Sequence, residues 1–109
     1  MNQRPGADAE LGRVLGVNFV NFAGSLTMES AVSRSWASIT FAGARHTLSL
    51  LLEGPAAGEA ARAFLDGIGE REFELRGHLV ADIVADISED GEDRARLTLE
   101  ALTVELDQD

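Results

Sequence analysis

Two histidines, His46 and His78, are the only imidazoles in the chain, and there is no cysteine. Without a thiol there is no disulfide framework, thiol catalysis, thiolate zinc site or cysteine-ligated iron-sulfur cluster. His78 falls in a run of alternating residues and shares its polar side with Glu74, Arg76 and Asp82. Such a grouping would suit a metal or an acid/base pair, although a lone histidine on a wet strand is more simply a tolerated polar residue. His46 shares its side with leucines and reads as a partly buried, hydrogen-bonded ring. Asp82 and Asp86 stand four residues apart on one strand, about 13 Å, too far to work directly as a carboxylate pair. Ser25, Ser30, Ser33, Ser35 and Ser38 form no nucleophile elbow, and neither a phosphate-binding loop nor a dinucleotide glycine pattern is present. No catalytic residue and no cofactor is therefore assigned.

The most motif-like spacing is Asp86-Ile87-Ser88-Glu89-Asp90-Gly91, with oxygen side chains at its first, third and fifth places and glycine at its sixth. It resembles the opening of an EF-hand calcium loop, which would make Asp86, Ser88 and Asp90 cation ligands. The twelfth place, where that family supplies a bidentate acid, is Leu97, the eighth is Asp93, and no helix flanks the segment. A solvated, acidic hairpin turn is the preferred reading.

Nineteen acids against nine basic residues, every one an arginine, give a net charge of -10. A field of that sign repels a phosphate backbone, so nucleic-acid binding is not expected. Absence of lysine beside frequent Ala, Gly and Arg suggests a GC-rich bacterial genome. The first ten residues lack the apolar core of a secretory signal, and no stretch reaches the roughly 20 apolar residues of a membrane span, so a cytoplasmic location is expected. Trp36, the sole tryptophan, would be an exposed partner anchor if it points away from the side of Ala37, Ile39 and Phe41. Trp36, His78, Asp82 and Asp86 are the residues expected to meet a partner.

The elements that would carry these residues follow from periodicity. Phe73, Leu75, Leu79, Ala81, Ile83, Ala85 and Ile87 alternate with mainly polar residues from Arg71 to Ser88, which predicts one long antiparallel strand. After Glu89-Asp90-Gly91-Glu92-Asp93, a second strand runs from Arg94 to Leu106. Its apolar set changes parity between Leu99 and Leu102, which predicts a bulge near Ala101 and a pairing of Ala95 with Ile87, Leu97 with Ala85 and Leu99 with Ile83. Trp36 to Phe41 and His46 to Glu53 predict a further hairpin with its turn at Ala42 to Arg45. Gly54-Pro55 opens a helix with the stripe Ala57, Ala61, Phe64, Leu65 and Ile68. Gly12 and Gly16 argue against a helix and favour an additional strand through Leu15 to Phe22, while Thr27 to Ser35 suits either a helix or an edge strand.

The expectation is an α+β fold: an antiparallel sheet of four to five strands, a β-β-α-β-β core with an extra N-terminal strand, covered on one face by one helix. Residues 1–10 would be a flexible arm and 11–109 a single domain. Strands this long exceed what one helix can cover, so a second copy is the simplest supplier of the remaining contact. The expected function is that of a non-enzymatic, acidic interaction protein acting as a homodimer or higher homo-oligomer, an inhibitor- or adaptor-like partner of a basic protein. The alternatives are a small-ligand binder or enzyme with a pocket at the sheet–helix or dimer seam, and a structural assembly subunit.

Overall fold

A computed structural model describes residues 7–68, 73–75 and 77–106, with the side chains of 7–9 and 74 outside the description. The order is α1 (Ala7–Gly16), a 3-10 turn (Val17–Phe19), β1 (Ser25–Ala37), β2 (Ala42–Glu53), α2 (Ala57–Gly67), β3 (Glu74–Leu75), β4 (His78–Asp90) and β5 (Arg94–Glu105). The strands form one antiparallel sheet in the order β1-β2-β5-β4-β3. Fold class is as expected: α+β, with an antiparallel sheet and helices packed on it.

β2 and β5 occupy the centre, where alternation decides which side is dry. Leu48 pairs with Leu99, Leu50 with Leu97 and Leu52 with Ala95. All six are buried, and against them pack Leu11 and Leu15 of α1, Phe19, Ala57, Ala61 and Phe64 of α2, and Phe73 and Leu75. The α2 stripe is as the sequence spacing predicts. Its N-cap, Ala56, takes a left-handed φ of 63° and contributes no side-chain cap. The helix start is tied down by backbone instead: the Ala57 N–H donates to the Gly54 and Glu92 carbonyls at 3.2 and 3.0 Å, and the Gly54 N–H donates to the Asp93 carbonyl at 2.9 Å. Arg62 adds a two-pronged bond to Asp90, 2.7 and 2.9 Å to its two carboxylate oxygens. The Phe19 and Phe64 rings, 5.1 Å apart, join the end of the N-terminal segment to α2.

Several details differ from the sequence-based expectation or decide what it left open. Helix α1 begins within the segment expected to be an arm and continues through Gly12 and Gly16, where a strand was expected. Leu11, Leu15 and Phe19, spaced by four, all point into the core, and Gly12 leaves room for the Met28 side chain, whose sulfur would lie 3.1 Å from a Cβ there. The ambiguous Thr27 to Ser35 is strand, the edge strand β1. The first hairpin turns at Ser38 to Phe41, four residues before Ala42 to Arg45: the Ser38 N–H donates to the Phe41 carbonyl and the Phe41 N–H to the Ser38 hydroxyl. Ile39 and Phe41 are consequently exposed.

The long Arg71 to Ser88 strand is broken at Gly77, whose φ of 78° makes the turn that folds β3 back on β4. β5 keeps one phase throughout, with Ala95, Leu97, Leu99, Ala101 and Thr103 all buried, while Leu102 and Val104 lie on the other face. The bulges fall on β4, at the register shifts Val80/Asp82 and Ile87/Glu89, and the pairing is displaced by two residues: Ile87 meets Leu97, Ala85 meets Leu99 and Ile83 meets Ala101.

The helical α1 makes a distinguishing prediction. Leu15→Ala should lower stability by about 2–5 kcal/mol in urea unfolding, because its side chain is fully buried. Val17→Ala, at a position 62% exposed, should change it by no more than about 0.5 kcal/mol. Equal costs at the two positions would match a strand and contradict the helix.

Candidate interaction surface

Both helices lie on one face of the sheet, so among the described residues nothing covers the opposite face. Its composition follows directly from the strand registers. Across β1, β2, β5 and β4 the rows are Trp36–Gly43–Val104–Leu79, Arg34–Arg45–Leu102–Asp82, Val32–Thr47–Glu100–Val84, Ser30–Ser49–Thr98–Asp86 and Thr27–Leu51–Arg96–Glu89. Val32, Leu79 and Val84 are more than half exposed there, at 58, 53 and 54%.

Each end of this face has its own construction. At one end Trp36 lies over Gly43, where any Cβ would come within 2.9 Å of the indole and collide with the Thr103 carbonyl. The indole nitrogen is shielded and has no hydrogen-bond partner among the described residues. At the other end a chain of charges crosses four strands. The Arg96 Nε–H and Nη2–H donate to the two oxygens of Glu29 at 2.6 and 3.0 Å, Arg96 Nη1 donates to Glu89, and Arg94 stands 3.6 Å from the other Glu89 oxygen. Glu29 reaches that far because it is the extra residue of the β1 bulge between Met28 and Ser30. Leu51, directly across the ladder from Arg96, is only 7% exposed beneath this network. The two-pronged bond from Arg96, then its positive charge, holds the Glu29 carboxyl below the usual carboxylate range despite some desolvation.

In between, the charges are unmatched. Arg34, Arg45, Asp82 and Glu100 have no ion-pair partner among the described residues, and the Asp86 carboxylate accepts only from the adjacent Ile87 N–H, at 3.0 Å. The arginines stand on β1 and β2 and the acids on β5 and β4.

The residues singled out by sequence are distributed differently from the expectation. Trp36, Asp82 and Asp86 do lie on the open face. His78 does not, because the extra residue at Ala81 reverses the phase of β4: Leu79 and Asp82 share the open face, and His78 belongs to the helix side, across from Glu105 and Leu75. Asp86, Ser88 and Asp90 share no loop. Asp86 faces the open side, Ser88 donates from the second bulge to the Arg96 carbonyl at 3.3 Å, and Asp90 faces α2 and binds Arg62. Among the described residues no three His, Asp or Glu side chains converge as metal ligands. His46 is buried, as its leucine neighbours suggest. Its Nε2 lies 2.8 Å from the Thr103 hydroxyl, which in turn donates to the Ala44 carbonyl at 3.3 Å. The Glu29–Arg96–Glu89 network escaped sequence reasoning, since nothing in the spacing shows that residue 29 and residue 96 meet across an intervening strand.

Two outcomes are expected. Because the folded-state value of Glu29 is depressed, its stabilisation is present above the ordinary carboxylate value of 4.5 and is lost as pH falls through the folded one. Wild type should therefore exceed Glu29→Gln in stability at neutral pH, and their unfolding curves should converge on the acid side of 4.5. A constant difference across that range would exclude the charge as its source. Thr103→Val takes a hydroxyl from both His46 and the Ala44 carbonyl and should cost about 1–3 kcal/mol in denaturant unfolding, whereas Thr103→Ser should retain most of the stability.

Among the described residues no helix is long and apolar enough to cross a membrane. No family model matches the chain, and no curated protein or solved structure shows significant similarity to it.

Proposed function

We propose that this chain is a non-enzymatic, acidic interaction protein that works as a homo-oligomer and makes its contacts through the open face of the sheet. The observation that carries this reading is the placement of both helices on one side, which leaves half-exposed valines and leucine among unmatched charges on the other. The molecule is a slab of 46 × 29 × 20 Å, two layers thick. A sheet covered on one side only can remain wet on the other, but then its open face is normally polar throughout. Here apolar side chains stand in each of the three rows toward the Trp36 end of the face, a pattern suited to partial burial against a protein surface. The net charge of -10 would in addition steer a basic protein toward the acidic β4 margin formed by Asp82, Asp86 and Glu89.

Val84→Glu places a charge in the middle row of the open face, and Ala63→Glu places one on the exposed side of α2. Light scattering should show that Val84→Glu lowers the associated mass toward the monomer while Ala63→Glu leaves it unchanged. Both variants should unfold at close to the wild-type temperature. A chain that is monomeric in all three forms, and that captures no basic protein in stoichiometric amount from its host lysate, would overturn the reading.

A further inference from the structure

Resting on that reading, we infer that the partner of the open face is a second copy of the same face, related by a two-fold axis that runs in the plane of the interface parallel to the strands. Such an axis keeps every row at its own height and exchanges left for right, so β1 lies over β4 of the other subunit and β2 over its β5. Arg34 then meets the partner's Asp82, and by symmetry Asp82 meets the partner's Arg34. Arg45 lies over the partner's Leu102, which can take the aliphatic part of its side chain. Val32 meets the partner's Val84, and Trp36 meets the partner's Leu79. Gly43 is overlaid by the Trp36 indole of its own subunit, which brings that ring toward the partner's Val104 as well. Each match follows from the registers alone.

The orientation is selective. A two-fold axis across the strands, centred on the Val32–Thr47–Glu100–Val84 row, would oppose Glu100 to the partner's Glu100 and Asp82 to the partner's Asp86. Like charges so placed oppose association, whereas the parallel axis pairs opposite charges twice per dimer. Aligned sheet packing at a separation of about 10 Å is a common solution, with the twist of each sheet opening an angle of about 30°. Four strands by ten residues span roughly 19 by 33 Å, a footprint near the about 800 Å² per partner of a standard interface once side-chain relief is included. The charge of -10 on each chain opposes association globally, but it is spread over the whole surface and screened beyond about 8 Å at 0.15 M salt, while contact pairs are partly desolvated and less screened.

Charge reversal tests the geometry. Arg34→Asp and Asp82→Arg, each made alone, replace both symmetry-related attractions with repulsions and should raise the dimer dissociation constant about tenfold or more in sedimentation equilibrium at about 0.15 M salt. The double variant restores the pairs with reversed polarity and should return the constant to within about threefold of wild type. A dimer indifferent to the single changes, or a double variant no better than the singles, overturns this arrangement. A wild-type chain that stays monomeric overturns it too. Whether the open face then serves some other protein is decided separately by the capture of a basic protein from the host lysate.

Discussion

The ladder between β2 and β5 determines which side of this molecule is dry. Once Leu48, Leu50 and Leu52 stand beside Leu99, Leu97 and Ala95 on one side of the central pair, every flanking strand must offer its apolar positions to that same side. The helices have no other place to bury their stripes. Three leucines on β2, with two leucines and an alanine on β5, thus dictate the location of α1 and α2, the wetness of the opposite face and the identity of the residues that face carries.

The helix side is held by several independent fastenings, and they are long-range. α2 is seated by carbonyls from the β4–β5 turn and by the Arg62–Asp90 pair, so its first turn is completed only when the C-terminal hairpin is in place. α1 is joined to α2 through Phe19 and Phe64. The open side is held differently, by charge: Arg96 gathers Glu29 and Glu89 from both flanking strands and covers Leu51. One face is thus closed by apolar burial, the other by an ionic strap at one end and an indole over a glycine at the other.

The α2 stripe, the central leucines, the burial of His46 and the C-terminal hairpin were legible because each rests on a local period. What failed did so for identifiable reasons. Gly12 and Gly16 carry a penalty in an isolated helix, but α1 is fixed by packing of Leu11 and Leu15, and tertiary contact outweighs about 1 kcal/mol per glycine. The parity change in β5 was real, yet its meaning was that Leu102 and Val104 belong to the other face; an apolar residue on the open face is indistinguishable, in one sequence, from a bulge. The phase reversals lie in β4 instead, at Ala81 and Ser88, which are small residues with no distinguishing signature. That is why Asp82 and Asp86 could be placed together while His78 was assigned to the wrong side. The contact of Glu29 with Arg96 depends on strand order, which no local pattern encodes.

The two bulges of β4 also bear on how such a chain can change over generations. A strand with uninterrupted alternation ties each residue's face to its parity, so losing or gaining one codon inverts everything beyond it. With an extra residue already tucked out of register at Ala81, removal of that residue would straighten the strand and leave the pairing as it is, with Val80 opposite Thr103, Leu79 opposite Val104 on the open face and His78 opposite Glu105 on the helix side. A single-codon deletion there is absorbed without exchanging the dry and wet faces, and the same holds at Ser88, between Ile87 opposite Leu97 and Glu89 opposite Arg96. β4 is therefore the strand in which the loss of one residue, at either of two places, would leave what the open face presents unchanged.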